Sequence, residues 1–201
     1  STPIKSSAAS DVYKRQMEGK AFLVRFTTDW TCGLLWNKLY KRALFDGIFF
    51  EEGHKIDDEY FTYQGVMNAA KVVCDPRVVY NYRQRASSVM QSPAARAQIA
   101  VDRIDFMAKR REKVLERFPE LRREFDISFV DALSYLADYP DNTEESIRLL
   151  KYYARRYFLQ RGNTFPPRYL LKAVFLMYVT STEKLLKRPQ AKKPSPEDYY
   201  A

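Results

Sequence analysis

The chain has 201 residues and a net charge of +9, and hydrophobic residues make up 46% of it. This is enough for one compact domain with a real core, or for a small domain with a helical extension, and argues against disorder. The excess of positive charge predicts an anionic partner, which could be nucleic acid, an acidic lipid headgroup or a diphosphate. The single histidine excludes a multi-histidine metal centre.

Cysteine usage and hydropathy narrow the class of protein further. The two cysteines, Cys32 and Cys74, are too few and too far apart for a disulfide framework or a zinc knuckle, so we predict reduced core thiols in a cytosolic protein. No apolar run reaches the roughly 20 residues that a membrane-spanning helix needs. No apolar signal-peptide segment follows Met17 either.

The first quarter of the chain shows three segments. Residues 1–16 are polar and lack a hydrophobic period, so we expect a non-native or disordered leader. The apolar run at 21–26 indicates a short buried strand. Apolar residues at helical spacing over 36–44 predict a helix, which would end at the natural glycine position, Gly47.

An acidic triplet at 57–59 lies at the centre of the chain's most distinctive stretch. Acidic residues favour the first turn of a helix because they face the positive end of its dipole, so we predict a helix over about 57–70. Segments rich in cations and aromatic residues flank it, at 36–42 and at 80–85. Together these features indicate a site for a polar, anionic substrate.

The remaining chain is predicted to be short strands followed by helices. The strands are expected at 71–74 and 77–83, with an Asp-Pro break between them. The predicted helices are 93–119, about 127–137, one that begins at a capping box of Asn142 and Glu145 and ends at Gly162, and one that opens at Pro166–Pro167.

Four segments of the central stretch share their order and spacing with a known family. They read WNKLYKRALF at 36–45, FEEG at 50–53, DDEYF at 57–61 and YNYRQRASS at 80–88. Together they resemble the second half of bacterial family-two glycosyltransferases, the inverting GT-A enzymes of polysaccharide, capsule and lipopolysaccharide assembly. The likeness covers about 33–92 and is loose in the later helices.

This resemblance implies an α/β fold that is mostly α. It places the carboxyl-terminal, acceptor-side part of a GT-A domain at 17–92. An α-helical extension would follow at 93–188, and the Pro- and Lys-rich tail at 189–201 would be disordered.

The resemblance also implies a reaction and its residues. A sugar would pass with inversion from a nucleotide-sugar donor to a saccharide or lipid-linked acceptor, while one carboxylate removes the proton of the acceptor hydroxyl. Asp58 matches that general base. Asp57 and Glu59 would either cap the helix or hold the base in position without contacting the substrate. The residues expected to bind the acceptor or the phosphates are Trp36, Asn37, Lys38, Arg83 and Arg85.

In the family, an Asp-X-Asp motif in the nucleotide-binding half holds a divalent metal, Mg or Mn, under the donor diphosphate. No stretch before Gly33 supplies that motif, so we expect no metal site in these residues. We therefore expect the carboxyl-terminal part of a longer enzyme, inactive by itself. We expect the enzyme in the cytoplasm, where residues 166–188 would contact the anionic inner face of the membrane.

Each candidate residue has a structural alternative. Asp58 is either the base or a helix-capping carboxylate worth about 1 kcal/mol. Trp36 and Tyr40 are either core residues or a sugar-stacking platform, and the arginines at 83 and 85 are either phosphate ligands or surface charges. His54 lies in a turn, where a direct role is not expected.

Two other functions compete with sugar transfer for the whole chain. One is a basic helical module that binds nucleic acid, which the spread of the charge and the lack of a reading motif disfavour. The other is a peripheral membrane protein without catalysis. Steeply salt-dependent binding to DNA or RNA would distinguish the first of these.

Overall fold

The computed structural model describes residues 15–75, 77, 80–81, 92–137, 142–158 and 166–176. Its helices and strands are β1 Arg15–Glu18, α1 Gly19–Arg25, α2 Asp57–Asn68, β2 Lys71–Cys74, α3 Pro93–Arg117, α4 Arg122–Ala137, α5 Glu144–Phe158 and α6 Pro167–Val174. Short 3-10 helices lie at Trp30–Gly33, Arg42–Phe45 and Pro119–Leu121. The predicted class, mostly helical with a small amount of strand, is confirmed.

The chain divides into two compact units. The first unit contains Ser1–Phe50 and Asp58–Gln84, and the second contains Glu51–Asp57 and Arg85–Ala201. The candidate base, Asp58, therefore belongs to the first unit, together with the loop that carries Trp36, Asn37 and Lys38.

The small sheet of the first unit is antiparallel. Strand β1 pairs with β2 so that Arg15 lies opposite Cys74 and Glu18 lies opposite Lys71. The prediction of β2 is confirmed at both ends, whereas β1 begins inside the segment that the sequence assigns to a leader. The sequence of β1 is polar and has no alternating pattern, so only its backbone pairing with β2 defines it.

Helix α1 occupies the apolar run for which the sequence predicts a strand, and that prediction is wrong. Phe22, Leu23 and Phe26 are buried, and the rings of Phe22 and Phe26 pack edge to face. A helix of two turns is too short to reveal its period, so a short apolar run cannot be distinguished from a buried strand. The first residue of this helix, Gly19, must be a glycine, because an ideal Cβ there would lie 1.9 Å from the carbonyl oxygen of Ala69.

The prediction of a helix over 36–44 is also wrong. Turns and extended chain precede the 3-10 helix, and Gly47 lies in a turn with a φ of 75°. Leu39, which the predicted period places on the buried face, is fully exposed. Side-chain hydrogen bonds to the carbonyl oxygen of Thr31 hold this segment as a loop instead.

Stacked phenylalanines attach this loop to helix α2. The ring of Phe61 lies 4.3 Å from that of Phe45 and 4.0 Å from that of Phe50, and both pairs are nearly parallel. Gly65 makes room for the stack, since an ideal Cβ there would lie 2.2 Å from the ring of Phe45. The predicted helix at the acidic triplet is confirmed as α2, and this packing fixes the loop against it.

The second predicted strand, 77–83, lies mostly outside the described residues. Arg77, Tyr80 and Asn81 are described, and none of them lies in a strand. The guanidinium of Arg77 donates to both carboxylate oxygens of Asp75.

In the second unit, helices α3, α4, α5 and α6 pack around a shared core. Helix α3 begins as predicted at its proline, and Ser92 caps it by accepting a hydrogen bond from the backbone N–H of Ala95. Helix α4 begins at Arg122, earlier than predicted. The shared core contains Ile104, Ala108, Phe129, Val130, Leu133, Leu136, Ala137, Ile147, Leu150, Ala154, Tyr157, Tyr169 and Leu176.

The capping box of helix α5 lies one residue later than predicted. Thr143 and Ser146 form it, because the backbone N–H of each donates to the side-chain hydroxyl of the other. The amide of Asn142 instead donates to the carbonyl oxygen of Leu136, at the end of helix α4. Asn142 thus satisfies a carbonyl oxygen at the end of α4, and the adjacent pair of Thr143 and Ser146 begins α5.

The short segment Glu51–Asp57 docks on helix α3 through the buried carboxylate of Asp102. This carboxylate accepts hydrogen bonds from the backbone N–H of Lys55 at 2.6 Å and from Nε2 of Gln98 at 2.8 Å. The Nδ1 atom of His54 lies 3.1 Å from the same carboxylate. His54 thereby has a structural partner within the second unit.

Candidate functional site

The candidate site lies in the first unit, and Asp29 organises the loop from which it is built. One carboxylate oxygen accepts hydrogen bonds from the backbone N–H and the hydroxyl of Thr31, at 3.0 and 2.6 Å. The other oxygen pairs with the guanidinium of Arg25 at 3.2 Å. Burial raises the pKa of Asp29, but the hydrogen bonds from Thr31 and the charge of Arg25 outweigh it, so the pKa lies below its usual range.

Lys38 closes this loop with its ammonium group. Its Nζ donates to the carbonyl oxygens of Thr31 and Leu34, at 3.0 and 2.6 Å, and to Oδ1 of Asn37 at 2.6 Å. Nδ2 of Asn37 also donates to the carbonyl oxygen of Thr31. An ammonium has three N–H donors, so all of them have protein partners here. Lys38 and Asn37, predicted as ligands of acceptor or phosphate, thus hold the loop that carries Trp36.

The electrostatic surroundings of Lys38 connect it to the candidate base. Burial lowers its pKa to about 8, while the charges of Asp29 and Asp58 act in the opposite direction. Lys38 and Asp58 therefore lie close enough to interact, although they are twenty residues apart in the sequence. Because the ammonium is partly buried, this interaction is less screened than one at the surface.

The amine of Lys38 should titrate near pH 8, well below an exposed lysine. Competitive labelling with acetic anhydride across a pH series, read by peptide mass spectrometry, measures the midpoint, and exposed Lys41 on the same loop is the internal control. Because the folded pKa lies below the unfolded one, the unfolded chain binds more protons between about pH 8 and 10.5, so the stability contribution of Lys38 rises with pH there. A midpoint above pH 10 would contradict this.

The acidic triplet adopts the predicted position at the start of helix α2. Asp57 is its first residue and is exposed, whereas Asp58 is half-buried and accepts a hydrogen bond from the backbone N–H of Glu59 at 3.0 Å. Glu59 packs over Gly33, where an ideal Cβ would lie 3.2 Å from its Cγ. The three acids therefore have different surroundings, and the charge of Asp58 acts on Lys38.

Tyr40 is a further neighbour of Asp58. Burial raises the pKa of Tyr40 to about 12, and the charge of Asp58 acts in the same direction. The Tyr40 ring packs edge to face against Phe45, at 5.1 Å between centroids. Its hydroxyl is buried, so Tyr40 contributes a neutral polar group near the carboxylate.

Trp36 forms an exposed aromatic pair with Tyr80. The ring centroids are 4.5 Å apart and the planes are tilted by 32°. Trp36 exposes 40% of its surface and Tyr80 exposes 50%. The interpretation of Trp36 as a core residue is therefore wrong, while Tyr40, the other residue of that interpretation, is half-buried.

Two thiols adjoin the loop without forming a disulfide. Cys32 is buried and Cys74 is partly buried, and both are free. Burial raises the pKa of the Cys32 thiol to about 11, with Asp29 acting in the same direction, which disfavours the reactive thiolate. Cys74 Sγ lies 3.5 Å from a guanidinium nitrogen of Arg25. Both thiols are free, but the prediction that both are core residues is wrong for Cys74, which is only partly buried.

Arg83 and Arg85, the other predicted phosphate ligands, lie outside the described residues. Within the described ranges, no group of three or more His, Cys, Asp or Glu side chains could hold a metal ion. Asp29 and Tyr80 belong to the site, although the sequence did not indicate either as a site residue. The sequence could have indicated Asp29, because an aspartate two residues before a threonine often accepts a hydrogen bond from the backbone N–H of that threonine.

The site thus combines a half-buried carboxylate, a partly buried ammonium, a tyrosine and an exposed ring pair in one unit. They come from segments that are well separated in the sequence, at 36–40, at 58 and at 80. No protein-family model, curated protein or solved structure matches the chain. Its function is therefore inferred from this geometry and chemistry.

Proposed function

We propose that this chain is the acceptor-side part of an inverting glycosyltransferase and that Asp58 is its general base. The observation that supports this proposal is the meeting of the four segments that resemble family-two glycosyltransferases. Trp36 contacts Tyr80, Lys38 interacts with Asp58, and Phe50 stacks on Phe61. Of these segments, the one at 36–45 also places Lys38 and Tyr40 within the electrostatic reach of Asp58.

In the proposed reaction, a carboxylate oxygen of Asp58 takes the proton of an acceptor hydroxyl. The acceptor oxygen, which has given up that proton, forms a bond to the anomeric carbon from one face while the bond to the nucleoside diphosphate breaks on the other, and the diphosphate leaves with the electron pair. A base must be ionised before it can act, and the Lys38 ammonium supplies a positive charge near Asp58. Asp58 is half-buried, so a bound acceptor could reach it from solvent.

The proposal expects a nucleotide-sugar donor, a saccharide or lipid-linked acceptor and, in a longer enzyme, Mg or Mn. The described residues of this chain do not fit a divalent metal, because they contain no cluster of suitable ligands. No step of the proposed reaction is therefore assigned to a metal here.

The experiment that tests the proposal is sugar transfer in a longer natural protein that contains this chain. A labelled nucleotide sugar is supplied together with a panel of saccharide and lipid-linked acceptors. Asp58→Asn should lower the rate of transfer by about 10²- to 10⁴-fold and leave donor binding intact. Retained turnover in that variant would exclude Asp58 as the base.

A second function, peripheral contact with an anionic membrane, is favoured by helix α6. Leu171, Val174 and Phe175 are exposed to 72%, 41% and 37%, and their spacing places them on one face of the helix. In the described part of the chain, no helix has the length and hydropathy needed to cross a membrane. An apolar face near basic residues suits a helix that lies on a lipid surface. This contact would hold the enzyme at the cytoplasmic face, near a lipid-linked acceptor.

Vesicle binding should depend on this face of α6. Replacing Leu171 and Phe175 with glutamate should weaken binding to phosphatidylcholine vesicles containing phosphatidylglycerol by about tenfold or more, because two apolar side chains lose their burial. Co-sedimentation measures the effect, and Tyr135→Glu, which alters an exposed aromatic residue on another helix, is the matched control. Unchanged binding in the double variant would exclude α6 as the membrane contact.

A further inference from the structure

The exposed rings of Trp36 and Tyr80 form a surface that takes part in no step of the proposed reaction. We propose that this ring pair binds the ring of an uncharged saccharide. The inference rests on the proposed function in one respect, since it names the chemical class of the acceptor. The binding itself needs no catalysis and can be measured on this chain.

The geometry of the pair suits a flat, amphipathic ligand. The two rings pack on each other at 4.5 Å between centroids, and each keeps an exposed part of its surface. An exposed tryptophan beside an exposed tyrosine is an apolar surface that folding leaves in water, which is typical of a binding surface. One face of a sugar ring carries mainly C–H groups, and these can pack on an aromatic face while the hydroxyls stay hydrated.

Polar groups beside the rings suit hydroxyls. Each ring is followed in the chain by an exposed asparagine, Asn37 after Trp36 and Asn81 after Tyr80. An amide offers both a donor and an acceptor, which matches a hydroxyl that can do both. The amide of Asn37 is held by Thr31 and Lys38, so it is oriented before any ligand arrives.

The charges near the rings favour a neutral ligand over a phosphate or a nucleic acid. All three donors of the Lys38 ammonium have acceptors within the loop. The guanidinium of Arg77, three residues before Tyr80, makes a bidentate pair with Asp75. Among the described residues, Lys38 is the cation nearest in sequence to Trp36, and Arg77 is the cation nearest in sequence to Tyr80. Both cations already have hydrogen-bond acceptors within the protein. A nucleic-acid site would instead present cations to the phosphates.

The fluorescence of Trp36 provides the test. The chain has only two tryptophans, so a Trp30→Phe background leaves Trp36 as the single reporter. Cellotetraose, maltotetraose and chitotetraose are titrated separately, and at least one should give a saturable change. In that background Tyr80→Ala should weaken binding about tenfold, in keeping with the loss of one stacking ring. Calorimetry should show that Trp36→Ala abolishes binding, and Tyr135→Ala is the control with an exposed tyrosine elsewhere.

Three outcomes would overturn the inference: no saturable response to any of the three sugars, equal affinity after Tyr80→Ala in a folded variant, or stronger binding of uridine monophosphate or oligothymidylate. Circular dichroism confirms that each variant is folded. Sugar binding without any transfer activity would keep this inference and reject the proposed function, whereas Asp58-dependent transfer without sugar binding would do the reverse.

Discussion

Replacing Asp58 with asparagine should lower the rate of sugar transfer by about 10²- to 10⁴-fold, the usual contribution of a general base. Asparagine keeps the shape of the side chain and an oxygen that can accept the hydrogen bond from the backbone N–H of Glu59. It loses only the negative charge and the ability to take a proton. The rate under donor-saturating conditions, measured with a labelled nucleotide sugar, should therefore fall while the affinity for the donor stays the same.

The neighbouring acids provide matched controls for this experiment. Asp57 is exposed at the first position of helix α2, where its charge favours the helix by less than about 1 kcal/mol. Asp57→Asn should therefore change the transfer rate only a few-fold. If Asp57→Asn lost as much activity as Asp58→Asn, the base would be misassigned or the loss would come from the helix.

Replacing Asp126 with alanine should cost the second unit about 3–5 kcal/mol, the usual result of leaving one buried charge without its partner. The carboxylate accepts from Nε of Arg111 at 2.6 Å and lies 2.5 Å from its Nη2, and both side chains are almost fully buried. Burial raises the pKa of Asp126, and the charge of Arg111 opposes that effect. The guanidinium of Arg111 also lies over the ring of Tyr157 at 4.5 Å.

Urea unfolding followed by far-ultraviolet circular dichroism measures this cost, because helices α3, α4 and α5 dominate that signal. Trp30 and Trp36 both lie in the first unit, so fluorescence reports that unit separately. Asp131→Ala, a half-buried acid on the same helix, should cost less than about 1 kcal/mol. The double variant Arg111→Met with Asp126→Leu should recover most of the loss, since it removes both charges. A loss below about 1 kcal/mol in Asp126→Ala would show that the pair is unimportant.

Local signals allowed the acidic helix and the long helices to be predicted. The acids at the start of α2 mark a helix start by their interaction with its dipole, and the proline of α3 marks another. The apolar stripes of α3 and α5 are long enough for a 3.6-residue period to be clear. Strand β2 was predictable because an Asp-Pro break follows it.

Long-range contacts decided the features that could not be predicted. The loop at 36–44 has the apolar spacing of a helix, but the polar side chains of Asn37 and Lys38 bond to carbonyl oxygens of the preceding turn. Helix α1 is too short to show a period. The contact of Trp36 with Tyr80 joins residues 44 positions apart (80 − 36), and nothing in the sequence states that distance. The candidate base was thus predictable from local pattern, whereas its surroundings were not.

The most direct measurement for the central claim is a map of amide chemical shifts in the labelled chain during titration with a nucleotide sugar and a neutral tetrasaccharide. If the first unit holds a sugar-transfer site, the perturbed amides should cluster at Trp36, Lys38, Tyr40, Asp58 and Tyr80. Perturbations confined to helices α3, α4 and α5, or none at millimolar ligand, would contradict the claim that these residues form a substrate site.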